Sequence, residues 1–443
     1  MPATTSQHLR RGDLLPRILT PPPGPRAREL SRRLAEVEAP GINTLSGEVP
    51  NILWHEARGA NVLDVDGNRY IDLTAGFGVA AVGHRHPRVV EALRRQSAKL
   101  VHGLGDAAAH EPRLELAARL RELVAIDDAR TYFAVSGADA VEVALKTAIL
   151  ATGRPAILAF ESAYHGLTLG ALAVTSRSEF RRPFAPYLHP HVRRLPYGCD
   201  PQRFAAELDR DPRPGCVLVE PIAGREGILV PPAGWLRKLA AACRRRQVLL
   251  AVDEIFTGLG RTGRLFACEE EGVVPDLLCC GKALAGGLPI AAVVGHRELM
   301  AAWRRGGEAL HTATFVAHPL ACAAALATLE VLVDEDLPGR AARLGRELAE
   351  RLDGWVGRYA AVVACCGRGL AWGVELVSAP VAAEFTARAR RRGVLLLAGG
   401  PQGRIAQLVP PLTISERQLA AALALLENVL DEICHRLTMS IDS

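Results

Sequence analysis

Lysine is nearly absent from this chain of 443 residues. Only four of the 53 basic side chains are lysines, namely Lys99, Lys146, Lys238 and Lys282, and the others are arginines. Arginine carries surface charge as well as lysine does, but it cannot form a Schiff base, because that requires a primary amine. Lys282 lies between an apolar run and a Gly-Gly turn. Its neighbours, described below, favour covalent chemistry over the alternative of an ordinary surface or capping lysine.

Three other absences exclude broad classes of function. The ten cysteines include no C-x-x-C pair, which argues against a zinc site or a disulfide framework and is typical of reduced thiols. No apolar run reaches the roughly 18 residues that span a bilayer, and the first residues lack the apolar segment of a signal peptide. The net charge of +5 is not gathered into a basic block. We therefore expect a cytoplasmic protein that binds neither nucleic acid nor a membrane.

Short apolar runs rich in β-forming residues alternate with amphipathic helix patterns such as the one at 232–246. Runs of this kind are typical of strands buried on both faces of a mainly parallel sheet, so the sequence predicts an α/β fold. The six runs lie at 131–135, 156–160, 216–220, 248–254, 276–281 and 290–295.

The remaining segments predict a second unit, because 443 residues exceed the usual size of one core. Residues 1–28 are rich in proline and arginine and are interpreted as an irregular arm, with packing on a partner subunit left open. Asp66-Gly67 marks a hairpin. Long Ala/Arg/Leu helices and a few strands begin near residue 336. We expect an arm and part of a small domain at 1–72, a large domain at 73–335, and the rest of the small domain at 336–443.

Polar groups follow three of the predicted strands, at the edge where parallel sheets bind ligands. Ser136-Gly137-Ala138 precedes a helix and offers N–H groups and a hydroxyl to an anion, although Ser136 could serve only as an N-cap. Asp253 ends the next such strand, and Lys282 follows another. An amine, an acid and a phosphate cradle are the groups that pyridoxal phosphate needs, since the acid keeps the ring nitrogen protonated.

Several other sequence patterns lack the neighbouring residues that their usual functions require. The run 248–254 resembles a Walker B strand, but no G-x-x-x-x-G-K-[ST] loop accompanies it. The run 258–263 matches G-x-G-x-x-G, yet no convincing helix follows it and the acid precedes it. The histidine pairs at 84/86 and 189/191 lack a cysteine or acid cluster, so we expect no metal site.

At this point the chain resembles the class III pyridoxal-phosphate aminotransferases, which include the 4-aminobutyrate, ornithine and acetylornithine aminotransferases. The likeness extends from about residue 55 to residue 437. It rests on motifs that occur in the family's order: GHRHP (83–87), SGADAVEVALK (136–146), YHG (164–166), EPI (220–222), DEIFTGLGRTG (253–263), GKALAGGLPI (281–290), TF (314–315), RGLAWGVEL (368–376) and PPLTIS (410–415).

The resemblance implies roles at the ring of the cofactor. Lys282 would be the internal-aldimine lysine and the proton shuttle, and Asp253 would pair with the pyridinium nitrogen. Tyr164 would stack on the ring, His165 would belong to the same binding set, and Glu220 would be the acid that flanks the cofactor.

The resemblance also implies how the phosphate is bound and how the chain folds. Gly137 and Ala138 would hold the phosphate by their main chain, with Ser136 assisting. Thr314 would reach the phosphate in the neighbouring subunit, which implies a homodimer with sites at the interface. The fold would be fold type I, with a large domain that contains a mainly parallel, seven-stranded type of sheet, and a small α+β domain built from both chain ends.

Departures from the family's pattern concern the substrate. Members that use dicarboxylates often have arginine where this chain has Leu167, and many have a carboxylate-binding arginine where it has Gln407. Ornithine-type members have a glutamate where this chain has Arg225, and a glutamine is common at the place of Phe256. Phe77 falls at a position of the pocket wall.

These departures put 2-oxoglutarate in question as acceptor, together with a GABA-like or ornithine-like substrate. Loss of a buried arginine–carboxylate contact weakens recognition by roughly 2–5 kcal/mol, which is enough to change the substrate. We hypothesise that Arg225 takes over as the carboxylate anchor, beside a more apolar pocket formed by Phe77 and Leu167. The alternative is that Arg225 is solvated at the rim.

Three functions are compatible with these residues. The first is an aminotransferase that moves an amino group from an amine or amino acid to a keto acid or aldehyde through a pyridoxamine intermediate. The second is an amino-acid racemase or epimerase that uses the same lysine and needs only one carboxylate clamp. The third, a non-catalytic protein that binds the cofactor, is disfavoured because Lys282 and Asp253 are both present.

Overall fold

The structure of the protein is a computed structural model, which describes residues 9–42, 51–304, 307–400 and 402–439. The strands are β1 (Trp54–Arg58), β2 (Asn61–Asp64), β3 (Arg69–Asp72), β4 (Ala129–Ala134), β5 (Ile157–Phe160), β6 (Val192–Leu195), β7 (Cys216–Val219), β8 (Leu249–Asp253), β9 (Leu277–Cys280), β10 (Ala291–His296), β11 (Val362–Arg368), β12 (Ala371–Leu376), β13 (Val394–Leu395), β14 (Leu397–Gly399) and β15 (Ile405–Leu408). The helices are α1 (Pro25–Val37), α2 (Ala75–Gly78), α3 (Pro87–Lys99), α4 (Glu111–Leu123), α5 (Gly137–Thr152), α6 (Leu169–Val174), α7 (Ser178–Arg181), α8 (Pro201–Asp209), α9 (Trp235–Arg245), α10 (Arg297–Met300), α11 (Pro319–Asp334), α12 (Leu337–Asp353), α13 (Ala379–Arg391) and α14 (Glu416–Met439).

The central sheet has seven strands in the order β4-β10-β9-β8-β7-β5-β6. Only β10 runs antiparallel to its neighbours, so the predicted mainly parallel sheet is confirmed. All residues of β5, β7 and β9 are buried. The reason is that helices cover both faces: Cys279 packs in the cluster that contains α5, whereas Leu278 and Cys280 pack in the cluster that contains α3, α4 and α11.

The sequence pattern identified six of these seven strands and missed β6. This strand lies at the edge of the sheet, where it pairs only with β5. Its sequence is VRRL, and the arginines are half-buried, with Arg193 donating to the carbonyl oxygens of Glu207 and Arg210. An edge strand can bury arginine stems in this way, and it therefore gives no continuous apolar run.

Two smaller sheets accompany the central one, and the first of them contains strands from both ends of the chain. The hairpin predicted at Asp66-Gly67 is confirmed as β2 and β3, and β13 from the C-terminal part pairs with β3 in parallel. The second sheet has the order β11-β12-β15-β14 and is antiparallel. The expected α+β unit built from both chain ends is therefore present. The exact limits at residues 72 and 335 stay a prediction.

The described part of the N-terminal arm lies on its own chain. The N–H of Leu14 donates to Oδ1 of Asn61 at 2.8 Å, and that of Leu19 donates to Oδ1 of Asn68 at 2.8 Å. Residues 1–8 of the arm lie outside the described residues. The irregular segment ends at Gly24, and the prediction that it extends to residue 28 is wrong, because Pro25 begins α1 at a position where proline is compatible with a helix.

The glycine run at 258–263 forms a turn that connects the central sheet to the C-terminal unit. Gly260 and Gly263 have φ values of 93° and 96°, which favour glycine, and a Cβ at Gly263 would lie 3.0 Å from Ala342 of α12. Arg261 is fully buried and donates to the carbonyl oxygens of Leu370 and Pro410. The run is thus a turn that packs against α12 and is hydrogen-bonded to the C-terminal unit.

Candidate active site

A cavity of about 540 Å³ lies beyond the carboxyl ends of β7, β8 and β9. These strands lead directly to Arg225, Phe256 and Lys282, which line it, while the β14–β15 hairpin contributes the opposite wall through residues 397–400, 403 and 407. The central sheet and the C-terminal unit therefore form the cavity together, at the edge of the sheet where parallel strands bind ligands.

Lys282 follows β9 and begins a short 3₁₀ turn, Lys282–Ala285. Its φ of 26° is in the left-handed region, a strained conformation that recurs at functional sites. Burial lowers the pKa of Lys282, while the carboxylates of Asp253 and Glu220 act in the opposite direction. A lowered pKa increases the fraction of neutral amine, which is the form that attacks a carbonyl group.

Asp253 lies at the end of β8 and is 3% exposed. Its Oδ2 lies 2.7 Å from Nδ1 of His165, and its Oδ1 accepts the N–H of Ile255 at 3.0 Å. The main-chain N–H of His165 donates to Oγ1 of Thr175 at 3.0 Å. His165 thus orients the acid, a role that the sequence motif alone did not specify.

Glu220 follows β7 and is also buried. Its two carboxylate oxygens accept the N–H groups of Tyr164 at 3.0 Å and Gly224 at 3.2 Å. Burial raises the pKa of Glu220 to about 7; His165 opposes this change and Asp253 adds to it. Glu220 therefore holds together the two loops that carry Tyr164 and Gly224.

The first turn of α5 adjoins the same site. Ser136 is its N-cap and accepts the N–H of Asp139 at 3.2 Å, so the capping role considered from sequence is present. The N–H groups of Gly137 and Ala138 have no carbonyl partner within the helix, as in any first turn. A Cβ at Gly137 would lie 3.0 Å from the side chain of Ile255, so glycine lets this turn pack two residues from Asp253.

The proposed substrate residues divide into two groups. Phe77, Arg225 and Gln407 line the cavity, and Nε2 of Gln407 donates to the carbonyl oxygen of Gly224 at 3.0 Å. Leu167 is 50% exposed and does not line it. Thr314 is exposed and also lies outside the lining, as expected for a residue that serves another subunit. None of these positions by itself tests the assigned roles, which stay predictions.

Sequence reasoning missed Arg177 and Glu226. Arg177 lines the cavity, and its guanidinium donates to Glu226 and to the carbonyl oxygen of Gly400. A glutamate directly after Arg225 was a possible signal, but no local pattern distinguishes Arg177 from the chain's many other arginines.

These groups fit pyridoxal phosphate. Lys282 lines the cavity, whereas Asp253 and the first turn of α5 lie outside its lining. Asp253 is close enough to affect the pKa of Lys282, and Gly137 packs on Ile255, two residues from Asp253. An amine, an acid and a helix N-terminus are the groups that this cofactor requires. Within the described part of the chain, Nε2 of His165 and Nε of Arg225 are buried without a hydrogen-bond partner, which is expected where a ligand binds. No group of three or more histidine, cysteine or acidic side chains among the described residues could hold a metal ion.

Comparison with known proteins identifies the family. The model of the class-III aminotransferases matches residues 44–430. The chain belongs to this family. It is 40% identical over 376 residues to an acetylornithine aminotransferase from Methanopyrus kandleri, covering 84% of this chain and 92% of the relative. It is 35% identical over 444 residues to a 4-aminobutyrate aminotransferase from Mycobacterium leprae, covering 94% and 98%.

Solved structures agree with this assignment. An ornithine aminotransferase from Toxoplasma gondii matches with a TM-score of 0.85 and 31% identity, covering 92% of this chain and 95% of that one. A PLP-bound amine transaminase from an uncultivated Pseudomonas species matches with a TM-score of 0.82 and 30% identity, covering 90% and 99%.

As a class-III aminotransferase, the protein is a PLP-dependent enzyme with the fold of type I. The predicted family, fold, cofactor and reaction are confirmed, and the racemase alternative is not favoured. No helix in the described part of the chain combines the length and apolar character needed to cross a bilayer.

Proposed function

We propose that this aminotransferase exchanges the amino group of an amine or amino acid for the carbonyl oxygen of a keto acid or aldehyde, and that Arg225 binds the substrate carboxylate. One observation carries the proposal: Arg225 lines the same cavity as Lys282 and forms no ion pair with any described residue. A guanidinium that faces a reactive amine without a protein carboxylate is suited to an anionic substrate.

The surroundings of Arg225 favour an anchor over a solvated rim residue. Its guanidinium carbon lies 4.6 Å from the ring centroid of Tyr164 and 5.6 Å from that of Phe180. Stacking on two aromatic rings restricts the guanidinium, so less freedom is lost when it binds a carboxylate.

The roles of the remaining residues follow from their positions. Pyridoxal phosphate, when bound, supplies an electron sink that acidifies the hydrogen beside the substrate nitrogen. Asp253, oriented by His165, would hold the proton on the ring nitrogen, and the first turn of α5 would hold the phosphate. Lys282 would provide the covalent attachment and carry the proton at Nζ. Glu220 would keep Tyr164 in place against the ring.

We propose further that the enzyme is a cytoplasmic homodimer in which Thr314 serves the partner's site. In support, Phe315 beside it is 62% exposed, with Leu104 and Leu310 also exposed. Exposed apolar side chains in the segments near Thr314 favour contact with another chain. All ten cysteines are free thiols, as is usual in a reducing compartment.

The first experiment records the visible spectrum of the purified enzyme while single amines and amino acids are added without an acceptor. We expect one class of donor to convert the cofactor to its pyridoxamine form. Lys282→Arg retains the charge but has no primary amine. The rate at which a donor converts the cofactor should therefore fall by about 10²–10⁴-fold, because the proton transfer is lost. Lys238→Arg on the exposed face of α9 is the matched control and should behave as the wild type. Conversion by Lys282→Arg at the wild-type rate would refute the assigned role.

Arg225→Ala tests the carboxylate anchor. Loss of a charged hydrogen-bond partner should raise the Michaelis constant for keto acids by about ten- to a hundredfold, with a smaller change for aldehydes that have no carboxylate. Steady-state kinetics with a keto acid and an aldehyde of similar length measures the difference. An unchanged Michaelis constant for every keto acid would eliminate the anchor.

A further inference from the structure

The cavity beside Lys282 contains two arginines that differ in whether a carboxylate neutralises them. Arg177 donates from Nε to Oε1 of Glu226 at 2.5 Å and from Nη2 to the carbonyl oxygen of Gly400 at 2.8 Å. Arg225 has no such partner in the described part of the chain and stacks on Tyr164 instead. Both arginines line the cavity, so their different pairing affects what the cavity can bind.

Glu226 restrains Arg177. The side chain of Glu226 is 1% exposed, whereas that of Arg177 is 22% exposed. A carboxylate left buried without its cation is costly, so Arg177 cannot leave Glu226 for a substrate without stranding that charge. The bond to Gly400 also fixes the guanidinium to the loop after β14. Arg177 and Glu226 therefore form a neutral and restrained part of the wall.

Only one charged side chain of the described cavity lining remains available to a substrate. Among the described residues that line the cavity, the charged ones are Arg177, Arg225 and Lys282, and none is acidic. Lys282 reacts with the cofactor and Arg177 is neutralised, which leaves the single guanidinium of Arg225.

The rest of the lining lacks a site for a second charge. It consists mainly of apolar or uncharged groups, among them Phe77, Phe256, Leu397 and Val409. A second carboxylate placed against these side chains would lose its hydration without gaining a cation.

We propose that Glu226, by neutralising Arg177, restricts the enzyme to substrates with one carboxylate and an uncharged remainder. This inference rests on the proposed function, in particular on Arg225 as the anchor. The substrate class is a 2-oxo monocarboxylic acid, or an amino compound with a single carboxylate, whose chain extends along the apolar wall. In each half-reaction the amino group and the carbonyl oxygen change places, so no oxidant or further reactant is required.

The test uses enzyme loaded with pyridoxamine phosphate, so the donor need not be known. The acceptors are 2-oxopentanoate and 2-oxoglutarate, which have five carbons each and differ in the terminal carboxylate. We expect kcat/KM to be about tenfold or more higher for 2-oxopentanoate, because a charged group without a partner is disfavoured by at least that factor. Calorimetric binding of pentanoate and glutarate, which cannot react, provides a second measurement, and pentanoate should bind more tightly.

Glu226→Gln tests the residue itself. It keeps the size of the side chain but frees the charge of Arg177, so the preference should shift towards 2-oxoglutarate by about tenfold. The double variant E226Q/R177Q should lose that gain, whereas Glu226→Asp should keep the wild-type preference. Thermal unfolding of each variant shows whether it is folded. The comparison of the two acceptors on the wild-type enzyme does not depend on any variant.

The possible outcomes separate this inference from the proposed function. If no 2-oxo acid or aldehyde restores the absorbance of the aldehyde form of the cofactor, the proposed function fails. If wild-type enzyme reacts with 2-oxoglutarate as well as with 2-oxopentanoate, transamination stands and the restriction to one carboxylate is wrong. If Glu226→Gln is folded and its preference is unchanged, Glu226 is not the cause.

Discussion

Burial shifts the pKa values of Lys282 and Glu220 in opposite directions. It lowers the pKa of Lys282 and raises the pKa of Glu220 to about 7. Both changes favour the uncharged form, since a low-dielectric environment disfavours charge. A larger fraction of neutral amine at Lys282 would suit the proposed covalent attachment, and protonation of Glu220 reduces the negative charge near Asp253.

Glu220 should make the stability of the enzyme depend on pH. Its pKa is higher in the folded protein than in the unfolded chain, so the stabilisation is present at low pH and is lost as pH rises from about 4.5 to about 7. Each pKa unit corresponds to about 1.4 kcal/mol. The measurement is the free energy of unfolding in urea at pH 5 and pH 8, for wild type and Glu220→Gln.

The two proteins are compared by how much the free energy of unfolding changes between pH 5 and pH 8, and not by its absolute value. The absolute stability differs in any case, because the glutamine side chain of the variant cannot accept both N–H bonds. The wild type should lose more stability between the two pH values than the Glu220→Gln variant. Equal slopes would show that Glu220 does not titrate in this range.

At the scale of elements, the start of α5 is connected to the loop that carries Thr314. Nδ1 of His311 accepts from Nζ of Lys146 at 2.9 Å, and Nε2 of His311 lies 2.9 Å from Oδ1 of Asp139. Lys146 can only donate and Asp139 can only accept, so this arrangement uses Nδ1 of His311 as an acceptor and Nε2 as a donor. Asp139 in turn accepts the N–H of Val135 at 2.9 Å, one residue before the N-cap Ser136.

His311→Ala should weaken the binding of pyridoxal phosphate by about tenfold, because a hydrogen bond to a charged group contributes about 1.5–3 kcal/mol and the first turn of α5 loses this support. Titration of the apoenzyme with cofactor measures the affinity. His191→Ala, at an exposed histidine, is the control. A variant with reduced thermal stability but unchanged cofactor affinity would contradict a role in positioning the cradle.

At the scale of the whole molecule, the proposed dimer predicts a link between assembly and cofactor binding. Phe315→Asp places a charge on an apolar side chain that is 62% exposed next to Thr314. We expect monomers in analytical ultracentrifugation and weaker cofactor binding, since Thr314 of the other subunit would be lost from each site. Met439→Asp, at a side chain of the same exposure, should leave the dimer intact. A Phe315→Asp dimer with normal cofactor affinity would refute the predicted interface.

The sequence by itself determined the features that depend on local pattern. Six of the seven strands of the central sheet were recognisable from apolar runs, and in β5, β7 and β9 these runs reflect burial on both faces. Asp253 and Lys282 were recognisable because Asp253 ends a strand and Lys282 follows the next one in the sheet, and parallel strands bring their carboxyl ends to one edge. The motif order then identified the family and the cofactor.

Only the tertiary structure decided how the cavity is closed and charged. Arg177 and Glu226 are 49 positions apart, and Gln407 is 183 positions from Gly224, to which it donates. Strand β6 likewise gave no local signal, and no local pattern indicated that the β14–β15 hairpin forms a wall of the cavity. The physical reason is that side-chain pairing across a cavity depends on how distant segments pack, and no periodicity within one segment records which arginine will meet a carboxylate.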